Sequence, residues 1–161
     1  MRKLNAIVVY YSRTGTTKKV AQAISKSLEC DIEEIDDKKN RKGPFGALIA
    51  GKDSLAEKET EIVIKSVDVS KYDILIIGSP VWASHITPAV RTYIDQNKSK
   101  IKKVAFFTTQ AANDSKKFKI FEDMEKLTGI KPMATLVVSN KEIGENKYMK
   151  KIEQFKLSLF K

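Results

Sequence analysis

The chain has 161 residues, 42% of them apolar, enough for one well-buried core, so a single domain over residues 1–161 is expected. Lys and Arg number 30 against 20 Asp and Glu, a formal net charge of +10. The lysines are scattered over Lys18–Lys19, Lys38–Lys42, Lys98–Lys103, Lys116–Lys119 and Lys147–Lys151, with no aromatic interleaving and no helix-turn-helix or RNA-motif pattern. That argues against specific nucleic-acid binding and leaves a solvated lysine surface or a docking face for acidic proteins.

No run approaches the roughly eighteen consecutive apolar residues of a membrane span, and the N-terminus enters a strand without a signal peptide's apolar run. A cytoplasmic protein without membrane insertion is expected. Cys30 is the only cysteine, so neither an intramolecular disulfide nor a thiolate metal cluster can form, and its expected role is that of a small core residue.

In chain order, residues 4–10 form a short, β-branched apolar run, as for a strand buried on both faces. Val20, Ala21, Ile24 and Leu28 then recur at helical spacing. Residues 31–36 alternate weakly and suit a strand nearer the sheet edge, and 37–44 are a charged loop ending in a Gly-Pro breaker. A second helix, interrupted by Gly46 and Gly51, is expected over 45–58, with a loosely structured connection to about residue 69. Residues 72–78 are the clearest strand, an aliphatic run that must be central. Thr87 and Pro88 mark a helix start. Residues 103–109 form strand 4, Phe118, Phe121, Met124 and Leu127 a helix closed by Gly129, residues 134–139 strand 5, and Tyr148, Ile152, Phe155 and Leu159 one face of a fifth helix. Strict alternation predicts an α/β fold, a doubly wound, five-stranded parallel sheet with helices on both faces. Functional groups then belong at the carboxyl ends of the strands, in loops 11–17, 79–87 and 108–115.

The first loop reads as a phosphate cradle. A strand-to-helix turn leaves unpaired N–H groups at the positive end of the helix, Ser12, Thr14, Thr16 and Thr17 add hydroxyls, and Gly15 allows close backbone approach. Arg13 either neutralises the phosphate or faces solvent. The loop lacks the Gly-Lys-Ser/Thr ending of a triphosphate loop and the spaced glycines of a dinucleotide turn, so a monophosphate is the best match. In the second loop Trp82, the sole tryptophan, sits beyond the end of a central strand, where it would stack on a flat ring. Pro80 fixes that loop's exit direction. His85 beside it is either a general acid or an exposed contact residue.

The segments YYSRTGTT at 10–17, GSPVWASHITPAVRTYI at 78–94 and FFTTQAAND at 106–114 resemble the flavodoxins and flavodoxin-like proteins that bind flavin mononucleotide. The resemblance spans essentially the whole chain. It implies a three-layer sandwich with strand order 2-1-3-4-5 and FMN as the cofactor. The ribityl phosphate would lie on Ser12, Arg13, Thr14, Gly15, Thr16 and Thr17, and the isoalloxazine between Pro80, Val81, Trp82 and Ala83 on one side and Thr108, Thr109 and Gln110 on the other. It also implies that a carbonyl in residues 81–84 accepts a hydrogen bond from N5 of the reduced ring. Many flavodoxins have glycine there, and this chain has Ala83 and Ser84, which makes a peptide flip more costly. The third loop lacks the second stacking aromatic common in the family, which leaves room for a nicotinamide or quinone on the open face.

The expected function is an FMN redox protein carrying electrons between partners, with acidic redox proteins as those partners. The alternative is a small FMN-dependent NAD(P)H:quinone-type reductase, and carrier and enzyme are not separated by the residues. A reading of a different class is a flavin-free regulatory or protein-binding module. A response-regulator receiver is disfavoured, since strand 1 ends without an acidic pair to hold magnesium.

Overall fold

The computed structural model describes residues 3–39, 43–56, 59–64, 67–111 and 117–161. Its sheet has five parallel strands in the order β2-β1-β5-β7-β8, formed by Ala6–Tyr10 (β1), Asp31–Glu34 (β2), Ile74–Trp82 (β5), Lys103–Gln110 (β7) and Thr135–Ser139 (β8). Counting only these strands, this is the expected order 2-1-3-4-5.

Side chains alternate across a strand, and both faces here are apolar, which is why β1 and β5 carry unbroken aliphatic runs. Toward one face, Val8, Ile76 and Phe107 pack with Val20 and Ile24 of α1 (Thr16–Leu28) and with Ile152 and Phe155 of the last helix (Met149–Leu159). Toward the other, Val9, Ile77 and Phe106 pack with Val90 and Tyr93 of α3 (Pro88–Asn97) and Met124 of α4 (Lys117–Thr128). Within the sheet, β5 and β7 fit closely at Gly78, where a Cβ would lie 1.9 Å from Cζ of its cross-strand neighbour Phe107. Only a glycine leaves room for that ring beside β5.

Four features depart from the sequence-based expectations. The chain after residue 34 forms β3 (Asp36–Asp37), which pairs antiparallel with β4 (Ile62–Val63) in a small second sheet. The second helix, α2 (Gly43–Leu55), includes the Gly-Pro pair in its first turn, a place where the fixed φ of proline suits helix geometry. The central strand does not stop at Gly78: β5 continues through Trp82 and folds back onto β6 (His85–Ile86) as a hairpin. The expected final helix is present as α6 (Met149–Leu159), and a short helix not expected from sequence, α5 (Asn140–Gly144), precedes it. Ser139 and Glu142 start α5 with a reciprocal capping box.

Thr87 caps α3 by accepting from the Val90 N–H at 3.4 Å, with Pro88 in the first turn, as its sequence predicts. Cys30 is half-buried against the α1 and α6 layer rather than enclosed in it, and burial, with Asp31 alongside, pushes its thiol up to about 11. Such a thiol stays protonated and unreactive at neutral pH. Residues 40–42 of the charged loop and 57–58 at the end of the expected second helix lie outside the described residues. No described helix is long and apolar enough to cross a membrane.

Candidate functional site

Three chain segments converge at the carboxyl ends of the strands. The first is the turn from β1 into α1. Gly15 caps α1 in the left-handed region, φ 96°, where a side chain would be strained. Its N–H donates to Oγ of Ser12 at 3.0 Å, which folds the loop back on itself. No side chain caps the helix, and no acidic residue occupies its first turn. The positive end of α1 is thus left for an external acceptor.

Thr17 is buried, and its hydroxyl lies 2.7 Å from that of Thr109 at the end of β7. That bond fastens the helix start to the sheet. When Thr109 is the donor of that bond, Thr17 keeps its own O–H, beside its backbone N–H, for an anion.

The second segment is the β5–β6 hairpin, in which Trp82 pairs with His85 across a two-residue turn. Ala83 and Ser84 both have positive φ, 49° and 66°, the pattern of a type I′ turn. Asn and Gly usually occupy such a turn, and each non-glycine residue costs about 1–2 kcal/mol in this region. The tip of the hairpin is therefore strained, and the strain sits beside the site. Trp82 is half-buried and meets Tyr11 edge to face, ring centroids 5.5 Å apart at 87°. Tyr11 is itself buried, so it fixes the plane of the indole from below.

The third segment is the end of β7. Between the three lies a cavity of about 160 Å³. The first loop contributes Ser12, Arg13, Thr14, Thr16 and Thr17, the hairpin Pro80, Val81 and Trp82, and β7 Thr109 and Gln110. Three residues expected in the site do not line it. Gly15 shapes the turn, Ala83 lies at the exposed tip of the hairpin, and Thr108 is fully buried on the other side of the strand from Thr109. The Thr108 hydroxyl has no hydrogen-bond partner among the described residues. Residues 112–115 of the third loop lie outside the described residues.

Two lining residues were missed from sequence: Ala111, directly after Gln110, and Asn140, the first residue of α5. The second is the more informative. Its signal was present in Ser139-Asn140-Lys141-Glu142, a capping-box pattern that starts a helix at the carboxyl end of β8 and so adds a fourth loop to the same end of the sheet. The box is tied down further. Glu142 accepts from the Ser139 N–H at 2.8 Å and pairs with Lys151 Nζ at 2.5 Å.

A family model described as Flavodoxin matches residues 5–153. The chain belongs to the flavodoxin family. Among solved structures, it is similar to a flavoprotein from Lactobacillus acidophilus determined in complex with FMN, at 24% identity and TM-score 0.72, covering 88% of this chain and 97% of that one. A putative flavoprotein from Bacteroides uniformis aligns with 17% identity and TM-score 0.73 over 95% and 97% of the two chains. Oxidised flavodoxin 1 from Bacillus cereus aligns with 18% identity and TM-score 0.54 over 95% of each. None of the curated proteins matches. At these identities the structural likenesses establish the flavodoxin fold and leave the chemistry to this chain's own residues.

Those residues fit the phosphate end of a flavin mononucleotide. A flavodoxin-type site needs N–H and hydroxyl donors without competing carboxylates, and the uncapped, acid-free start of α1 supplies them. The cavity is smaller than the roughly 300–1,000 Å³ of a pocket enclosing a whole drug-sized ligand, so in size it suits the phosphate end rather than the whole cofactor.

Proposed function

We propose that this flavodoxin-family chain binds FMN and carries electrons between proteins. The observation that carries the reading is the meeting of the uncapped N-terminus of α1 with Trp82 in one cavity. FMN supplies one- and two-electron chemistry when bound. The protein's part is to hold and orient it. The backbone N–H groups of residues 16 and 17 and the hydroxyls of Ser12, Thr14 and Thr16 bind the phosphate. Trp82, braced by Tyr11, offers a flat apolar surface to the ring. Thr109 and Gln110 give polar contacts beside it, and Asn140 reaches in from the fourth loop.

The net charge of +10 supports acidic proteins as the redox partners, drawn by long-range attraction that weakens with salt. A cytoplasmic setting fits the chain's single, half-buried thiol.

Titration of the apoprotein with FMN tests the cofactor reading. Saturable quenching of flavin fluorescence at one FMN per chain, with riboflavin binding at least tenfold more weakly, is the expected result. Absence of quenching overturns it in favour of a flavin-free module. Anaerobic stopped-flow mixing of the FMN-loaded protein with NADH or NADPH tests the carrier role. Flavin absorbance unchanged over seconds supports a carrier, and rapid bleaching identifies a reductase. The second reading has one observation in its favour: Trp82 is the only aromatic lining the cavity among the described residues, which leaves the other ring face to a stacking reactant.

A further inference from the structure

We propose that the opposite end of the sheet holds a second binding site, for a small amphipathic anion: a carboxylate carried on an apolar chain. A hollow of about 490 Å³, some three times the volume of the flavin-site cavity, opens at the amino ends of β1, β5 and β7 beside the end of α6. Its floor is apolar. Ile74 and Leu159 are each 3% exposed, Leu4 and Met133 are half-buried, and Phe160 stands at the wall with 41% of its surface exposed.

Its rim is basic. Lys3, Lys102, Lys103 and Lys161 line the hollow against a single acidic side chain, Asp73, which Lys102 approaches at 3.8 Å. Four cations less one anion leave three positive side-chain charges around one concavity.

Separately, neither feature would mean anything. Exposed lysines are ordinary, and so is a lone exposed phenylalanine. Their coincidence in a concave surface matches a ligand that has both an apolar body and a charge. Covering the floor would remove apolar surface from water, and the lysine stems would contribute to the same wall while their ammonium groups met the anion.

The size of the charge is limited by α6, whose C-terminal carbonyls end at Leu159 on the hollow and place the negative end of the helix dipole there. A polyphosphate would meet that negative end, and among the described residues lining the hollow none begins a helix. A single carboxylate is better matched. The site lies across the sheet from the flavin cavity and uses none of its residues, so it stands or falls independently of the FMN reading.

A ¹⁵N-HSQC titration of the full chain with decanoate below its micelle concentration tests the proposal. Expected are saturable shifts centred on the amides of Leu4, Ile74, Lys103 and Phe160, an affinity that falls with added NaCl, and no comparable shifts with inorganic phosphate. Lys103→Glu, at the exposed start of β7, and Phe160→Ser should each weaken decanoate binding at least fivefold while leaving FMN binding unchanged, which also certifies that the variants fold. Shifts elsewhere, equal response to phosphate, or affinity indifferent to both variants would overturn it. So would co-sedimentation with phosphatidylserine vesicles without any response to monomeric decanoate, which would assign the hollow to a lipid surface.

Discussion

The hydroxyls of Thr17 and Thr109 lie 2.7 Å apart, both side chains buried, and join the first turn of the phosphate-loop helix to the end of a central strand 92 residues away. Together with the packed stripe of Val20, Ala21, Ile24 and Leu28, this bond holds the start of α1 against the sheet. Thr17→Val removes one partner and strands the other hydroxyl, which costs about 1–3 kcal/mol, whereas replacing both partners with valine leaves no orphaned group. Urea denaturation of the apoprotein should show Thr17→Val destabilised by that amount and the double variant with Thr109→Val largely recovered. FMN titration should show weakened binding in the single variant, because the helix start is no longer pinned. Equal losses in the single and double variants would mean that the bond does not couple the two elements.

At Gly78 the constraint is steric. A Cβ would sit 1.9, 2.3 and 2.5 Å from three ring atoms of Phe107, whose side chain is fully buried. Gly78→Ala must displace that ring within a packed layer, a cost of about 1–3 kcal/mol by overpacking. In combination with Phe107→Leu the clash disappears, so the two substitutions should be strongly non-additive in a double-mutant cycle, by at least about 1 kcal/mol. Additivity would place the strain of Gly78→Ala elsewhere.

What the sequence made legible followed from burial on two faces. The aliphatic runs of β1 and β5, the 3.6-residue stripes of α1 and the Thr87-Pro88 helix start are all visible because each reports one dominant physical demand. The hairpin beside the cavity was hidden for the opposite reason. Pro80 reads as the end of a central strand, since proline cannot donate to a ladder. By Pro80, however, β1 has already ended, its last pair being Tyr10 with Gly78, and only β7 remains alongside through Thr109. The strand has become an edge, where the missing N–H is tolerated. The turn at Ala83 and Ser84 gave no warning either, because it lacks the Asn-Gly signal its geometry normally requires. The β3–β4 pair has two residues in each strand and is held by backbone bonds and by the Thr60 hydroxyl donating to Asp37, so no hydrophobic period announces it.

The strain at that turn is measurable. Ala83→Gly and Ser84→Gly each relieve a left-handed backbone cost of about 1–2 kcal/mol and return part of it as greater freedom of the unfolded chain, about 0.5–1 kcal/mol. A net gain of roughly 0.5–1 kcal/mol in unfolding free energy is expected for either substitution. The readout is the urea midpoint of the apoprotein. A lowered midpoint would show that these positions are not strained in solution.

The fourth loop links site geometry to pH. Burial alone would raise the Glu142 carboxyl, but Lys151 and the N–H and hydroxyl of Ser139 outweigh it and hold the group below the usual carboxylate range. A carboxyl whose folded value is depressed contributes stability that is fully present above its unfolded value, near 4.3, and is lost as pH falls through the folded one. Lys151 also donates to the Val137 carbonyl at 3.0 Å, on β8, one of the two end strands of the sheet. The Glu142–Lys151 pair thereby does two things: it caps the helix that presents Asn140 to the cavity, and it occupies an edge carbonyl that another chain could otherwise pair with. Glu142→Gln keeps the shape of the cap while removing the charge. Unfolding measured from pH 7 down to pH 3 should therefore show a shallower acid loss in Glu142→Gln than in the parent chain, with the two curves converging at the lowest pH. Parallel curves across the whole range would remove Glu142 from the acid sensitivity of the fold.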